Sequence, residues 1–244
     1  MQASTAAGEI GVCRLGTALR RLHDLLPLKE RQQSLEKPLL EVHRAVLSAL
    51  AQRGKPLSNG EIAGMLGSNE AAAHAVAMLG SYDLVVRNSP VVRDARTNEL
   101  VTLDAKGGEI VGAYPLTTEE TPHRISLNGN SLYAMCAVDA LAVAPLFDAD
   151  VRIQSRCHIT GTPIRIHQKG KDILEAQPNA IRIGVRWQPV IDCCAHGMCR
   201  QMVFLKDPET ALAWQGTDPV SIELLTLGET VELGAAFFSP LLKD

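Results

Sequence analysis

Leu-Tyr-Ala-Met-Cys-Ala-Val-Asp-Ala-Leu-Ala-Val-Ala-Pro-Leu-Phe (132–147) decides how the rest of this 244-residue chain is read. The run is apolar and rich in helix-favouring residues, so it predicts a helix over 132–147. Beyond it, Val151 to Gln154, Pro163 to His167 and Ala180 to Trp187 read as strands. Turn signals at Thr160-Gly161, Lys169-Gly170 and Pro178-Asn179 punctuate them. Arg200 to Leu205 reads as a further short strand. Pro208 to Trp214 reads as a helix whose start is made acidic by Asp207 and Glu209. From Ser126 onward the pattern is therefore that of a mixed α+β unit.

Upstream of this unit the periodicity is helical. Leu39 to Gln52 carries apolar residues at Leu39, Leu40, Val42, Val46, Leu47 and Leu50 and stops at Gly54. Ser58 to Leu66 opens with a capping-box pattern, Ser58 followed three residues on by Glu61. Ser68 to Leu79 follows Gly67. Tyr82 to Val86 and Leu100 to Ala113 then alternate as the wing strands of a winged helix would. Residues 1–38 form an extension, with a basic amphipathic stretch from Leu15 to Leu26 and a charged segment from Lys29 to Lys37. The expected fold class is α+β. A winged-helix-like helical domain (39–125) precedes an antiparallel β core with flanking helices (126–244), and a helical extension (1–38) comes before both.

A winged helix suggests DNA, but the charges argue against it. No Lys or Arg occurs between Lys55 and Arg87, so the third helix has nothing to meet phosphates or guanine edges. The net charge of −3 likewise excludes a dedicated polyanion binder. No apolar run approaches membrane-spanning length, and the N-terminus carries no secretory pattern, so a soluble cytoplasmic protein is expected. In that setting the cysteines, Cys13, Cys136, Cys157, Cys193, Cys194 and Cys199, read as reduced thiols rather than disulfides.

The chemistry concentrates at three places. Cys136 and Asp139 lie three residues apart and would share one face of the predicted helix. A thiolate holds a soft metal and a neighbouring carboxyl carries a proton; breaking a carbon–metal bond is one of the few reactions that needs both. The same pair also reads as a buried free thiol beside a satisfied acid. Asp-Cys-Cys-Ala-His-Gly-Met-Cys (192–199) gathers Cys193, Cys194, His196 and Cys199 around a glycine, donors that could enclose a metal, although not at zinc-knuckle spacing. Cys157-His158 precedes a turn, and Cys157 reads as a core thiol. His74, His123 and His167 read as surface or wing residues, and Asp104, Glu109 and Glu119 as solvated charges.

Three ordered segments resemble the bacterial alkylmercury lyases. They are Tyr114 to Leu146 with its Cys136 and Asp139, Ser155-Arg156-Cys157-His158-Ile159-Thr160-Gly161-Thr162-Pro163, and Cys199 to Trp214. The resemblance extends over roughly residues 39–244. It implies cleavage of a carbon–mercury bond by protonolysis without a cofactor. On that resemblance Cys136 and Cys199 are the catalytic thiols and Asp139 is the proton carrier, all three meeting the mercury of substrate and product, and Cys157 is structural. The resemblance also implies an organomercurial substrate in an apolar pocket. A mercury reductase or low-molecular-weight thiols would accept the mercuric product.

One departure concerns the second thiol. Alignment from the aromatic strand selects Cys199, whereas alignment on the adjacent pair selects Cys193. Cys199 is preferred because insertions fall in loops. Cys193 and Cys194 remain candidate mercury ligands, and with the extra Ala-His-Gly-Met they fit either a relay that hands on the product or a site that has been repurposed. The alternative is a non-catalytic, thiol-rich module that binds mercury, copper or zinc on the same scaffold.

Overall fold

The computed structural model describes residues 3–88, 91–93, 100–102, 108–189 and 193–243, with the main chain alone for 3–13, 91–93 and 100–102. Asp104 and the side chain of Cys13 lie outside the described residues.

The helices come first: α1 (Ala3–Leu25), α2 (Leu28–Gln33), α3 (Lys37–Arg53), α4 (Asn59–Leu66) and α5 (Asn69–Ser81). Their ends follow from local chemistry. Gly54 closes α3 with a left-handed φ of 72°, a conformation glycine adopts without a Cβ penalty. Ser58 caps α4 through the full reciprocal box with Glu61. Glu61 also receives both Arg53 guanidinium nitrogens at 2.6 and 2.9 Å, which ties the end of α3 to the start of α4. Ser68 caps α5 by accepting the Ala71 N–H at 3.0 Å.

The expected wing strands take another form. Tyr82 and Asp83 complete a turn after α5, with Asp83 at φ 52°, so extended pairing begins only at β1 (Val86–Arg87). β2 (Val91–Arg93) and β3 (Leu100–Thr102) pair with each other. β1 instead pairs with β4 (Ile110–Ala113), which puts it at the edge of the main sheet.

That sheet is antiparallel throughout, in the order β1-β4-β5-β7-β6-β8-β9-β10. It is built from β5 (Leu116–Thr117), β6 (His123–Leu127), β7 (Asn130–Ala134), β8 (Asp150–Arg156), β9 (Pro163–Lys169) and β10 (Asp172–Gln177). The 132–147 stretch is thus divided. Leu132 to Ala134 finish strand β7, and helix α6 runs only from Ala137 to Phe147. The cause lies just upstream: Asn128 (φ 51°) and Gly129 (φ 78°) make a two-residue hairpin loop that locks β7 onto β6 in register Leu127↔Asn130.

A second antiparallel sheet, β12-β11-β13, uses β11 (Arg182–Arg186), β12 (Met202–Leu205) and β13 (Ile222–Thr226). Helix α7 (Pro208–Gln215) follows β12, capped by Asp207 as its acidic start predicts. Helix α8 (Leu227–Phe238) follows β13. The architecture is the expected α+β mixture of helices and antiparallel sheet.

Apart from Asp139, helix α6 is apolar around its whole circumference because nearly all of it is covered. It lies between the main sheet and α8, and α1 packs on α8 in turn. The α6–α8 approach is close enough that a Cβ at Gly234 would sit 2.7 Å from Ala142 Cβ. Gly234→Ala is therefore expected to destabilise the fold by about 1–3 kcal/mol, the cost of forcing extra volume between packed elements. Urea unfolding midpoints for the two proteins would measure it, and equal midpoints would show that the two helices can separate freely. Because α6 carries Asp139 on its first turn, this packing also sets where the acid sits.

Candidate active site

Cys136 stands at the junction of β7 and α6, in extended conformation (φ −152°, ψ −179°), as the N-cap of the helix. Its Sγ accepts the Asp139 N–H at 3.3 Å, so the thiol and the acid meet through a cap, not along a helix face as expected. Asp139 occupies the first turn and turns its carboxylate toward the opposite wall of the site, where the Cys199 thiol donates to its Oδ2 at 3.7 Å. Cys199 belongs to a 3-10 turn, Met198–Gln201, that leads directly into β12. Ligand atoms of Cys136, Asp139 and Cys199 all fall within 4.8 Å of one another, and the three residues are buried. Met202 adds a third sulfur: the Cys136 thiol donates to its Sδ at 3.6 Å.

Burial sets the protonation states. It pushes the Cys136 thiol up to about 12 and the Asp139 carboxyl up to about 7, the latter against hydrogen bonds from both thiols. Cys199 is driven well above the ordinary thiol range by its hydrogen bonds to Cys136 and Cys194 and by desolvation. The helix N-terminus favours anions here, but removal from water wins. Near neutral pH both thiols keep their protons, and Asp139 is the group poised to change charge.

A cavity of about 750 Å³ reaches Cys199. Buried Val86, Met135, Met202 and Phe204 give it an apolar wall, while exposed Glu119, Arg156, His158 and Arg200 make the rim polar. His123, read from the sequence as a surface or wing residue, is instead buried in this wall. Its Nδ1 lies 2.9 Å from Ser155 Oγ, its ring meets Phe204 edge-on, and burial lowers it to about 4, so it is neutral at physiological pH. His167 is a partly exposed residue paired with Asp150 at 2.9 Å. Cys157 is buried and lines the cavity. Burial acts to raise its pKa, but hydrogen bonds from the Thr160 hydroxyl and from backbone N–H groups outweigh this and hold it below the usual thiol range.

The 193–199 loop does not close into a four-donor cage of its own. His196 faces Glu119 at 3.5 Å on the rim. Cys193, half-buried, lies with its Sγ 3.5 Å from the Tyr114 hydroxyl. Besides Cys199, Cys194 alone of the loop's donors reaches the site among the described residues, its Sγ 3.6 Å from Cys199 Sγ. A polar anchor holds the loop from below. The Tyr114 hydroxyl donates to Asp83 Oδ1 at 3.0 Å and accepts the Ala195 N–H at 2.8 Å, while Asp83 Oδ2 accepts the Cys194 N–H at 3.0 Å. Arg31 approaches the same carboxylate at 3.7 Å. Asp83 was not marked by any sequence signal, and Tyr114 appeared only as the first residue of a longer segment. A polar pair this far apart in the chain shows itself only once the chain is folded.

The alkylmercury lyase family model matches residues 116–239, more than half of the chain. The chain belongs to that family. An alkylmercury lyase from Pseudomonas putida is 33% identical over 140 residues, covering 56% of this chain and 64% of the relative. One from Bacillus cereus is 31% identical over 127 residues, covering 52% of this chain and 57% of the relative. The chain thus spans roughly six-tenths of the length of these curated relatives. A crystal structure of the mercury-bound form of MerB2 shares the fold at a TM-score of 0.69 and 24% identity, covering 88% of this chain and 98% of that one. Within the stretch matched by the alkylmercury lyase model lie Cys136, Asp139, Cys157 and Cys199, together with the Cys193-Cys194 pair. The loop anchors Asp83 and Tyr114 lie before it.

Proposed function

We propose that this member of the alkylmercury lyase family cleaves the carbon–mercury bond of organomercurials by protonolysis, with Cys136 and Cys199 as thiol ligands and Asp139 as proton carrier. The convergence of two thiols and one carboxyl within 4.8 Å carries the reading. Cys199 lines the cavity, so it meets the organomercury cation first and loses its proton to the departing counter-ligand. Cys136 then adds to mercury. Metal coordination strips a thiol of its proton, and the neighbouring Asp139 carboxylate takes it. Two thiolate sulfurs push electron density onto the mercury-bound carbon. Asp139 returns the proton to that carbon as the carbon–mercury electron pair becomes the new C–H bond. A hydrocarbon leaves, and mercury(II) stays between two sulfurs.

Every group this sequence needs is a side chain, so no cofactor is part of the reading. Mercury(II) is soft and prefers thiolate sulfur to oxygen or imidazole, which fits the donor set. The apolar wall suits alkyl and aryl groups that offer nothing to hydrogen-bond. The acceptor of the product would be a low-molecular-weight thiol or a mercury reductase, in the cytoplasm. Among the described residues no helix is long and apolar enough to cross a membrane. A nucleic-acid partner finds no support in α5, which lacks Lys and Arg. The non-catalytic metal-binding alternative is weaker, because His196 and Cys193 point away from the Cys194–Cys199 pair and the loop does not form a four-donor cage.

The deciding experiment incubates reduced protein with phenylmercury and excess thiol and follows benzene by gas chromatography. Benzene release supports the lyase reading. Mercury retained without any benzene would leave a binding protein.

A further inference from the structure

Cys194 is a buried thiol that the proposed cleavage does not use, yet its Sγ lies 3.6 Å from that of Cys199. Its neighbour Cys193 is half-buried, so the adjacent pair runs from the interior toward the surface. Neither thiol lines the cavity, among the described residues, although Ala195, His196 and Cys199 do. The backbone of this segment is held in place: Asp83 fixes the Cys194 N–H and Tyr114 fixes the Ala195 N–H. A segment anchored by two buried side chains presents its thiols in a set geometry rather than as loose loop residues.

We infer that Cys194 is a third ligand for the mercuric product and that Cys193 carries it on toward solvent, a product-exit path separate from the substrate cavity. The inference rests on the lyase reading for the origin of the metal. Exchange begins with mercury(II) between Cys136 and Cys199. Cys194 adds to mercury as its proton leaves for the Asp139 carboxylate, giving a three-sulfur state. Cys136 then departs as thiolate and recovers the proton from Asp139. The second exchange repeats the pattern, with Cys193 adding and Cys199 departing as Cys193's proton passes to Cys199. Mercury stays divalent throughout, and each sulfur gained is matched by one lost. The process is ligand exchange among soft donors, the partners mercury(II) favours most.

The path has a physical advantage. Mercury held by Cys136 and Cys199 is buried and out of reach of a bulky acceptor. Stepwise exchange through a nearby third thiol removes the need to break both strong bonds before a new one forms. It also returns Cys136, Asp139 and Cys199 to their starting protonation states while the metal is still on the protein.

The test uses inorganic mercury(II), so that it does not depend on cleavage. Reduced wild type, Cys194→Ala and Cys193→Ser are each loaded with one equivalent of mercuric chloride. Mercury-edge X-ray absorption counts the sulfur neighbours, and dithiothreitol extraction is followed in time. Cys194→Ala should show fewer sulfur neighbours on average than wild type. Cys193→Ser, altered at a half-buried position that the fold tolerates readily, should surrender its mercury roughly tenfold more slowly. Identical sulfur counts together with identical extraction rates would overturn the path. Benzene release by the wild type reports separately on the lyase reading. A wild type that makes benzene but shows no effect of either substitution leaves that reading standing and removes this one. Altered sulfur counts without benzene support the third ligand and remove the lyase reading instead.

Discussion

Cys136→Ser is expected to lower hydrocarbon release from phenylmercury by on the order of 10³-fold or more, the scale of losing a group that bonds to the reacting centre. The substitution is a clean one. A serine hydroxyl is a preferred N-cap, so it can accept the Asp139 N–H as the thiol does, and α6 should start where it starts now. What changes is softness: a buried hydroxyl is a poor ligand for mercury and does not release its proton to a carboxylate near neutral pH. Cys199 remains at the cavity to capture the organomercury cation. The variant should therefore accumulate a one-thiol adduct, visible in the intact mass, with no benzene formed. Benzene at close to the wild-type rate would remove Cys136 from the mechanism.

Asp139→Asn should move activity and stability in opposite directions. Without a titrating group beside the thiols, proton delivery to carbon is lost, and a positioned acid–base group is worth about 10²–10⁴-fold. Mercury(II) itself should still bind, because both sulfurs remain. Stability follows from the raised pKa. Burial raises the Asp139 carboxyl to about 7 in the folded protein, against 3.8 for the free side chain. The folded state therefore holds this proton more tightly than the unfolded state does. Below the unfolded value both states are protonated and the acid costs nothing. As pH rises from about 4 to about 7 the unfolded state gains by ionising, and above 7 the full penalty is present, up to about 4 kcal/mol. Asparagine carries no such penalty. The variant should thus be more stable than wild type at pH 8, with the gap closing toward pH 4, as read from urea midpoints across that range. A gap of the opposite sign at pH 8 would mean that Asp139 is held as a stabilised carboxylate.

The sequence carried the helical half well, because helix ends announce themselves chemically: Gly54, Ser58 with Glu61, Ser68 and Asp207 all cap as their residue types predict. The same kind of signal was present and unread elsewhere. Thr226 and Glu229 form a second capping box that opens α8, and Asn128-Gly129 marks the hairpin that turns half of the 132–147 stretch into strand. Strand β10 escaped for a physical reason, since it is an edge strand with little burial and no apolar alternation to detect. At the site, the thiols and the acid were legible from residue type and resemblance. Their geometry was not, because the cap at Cys136 depends on where β7 ends. His123 was misjudged because its burial comes from Phe204 and Ser155, residues far along the chain.

The raised thiol pKa values bear on survival of the site in a cell. Alkylating agents and peroxides attack thiolates, and a thiol held near 12 presents almost none at neutral pH. A soft metal needs no free thiolate in advance, because it displaces the proton as it binds. Burial thereby shields Cys136 and Cys199 from electrophiles and oxidants, while on the proposed reading it leaves them open to the metal itself. The burial that makes Asp139 costly to the fold is also what keeps these sulfurs from being spent on the wrong reagent.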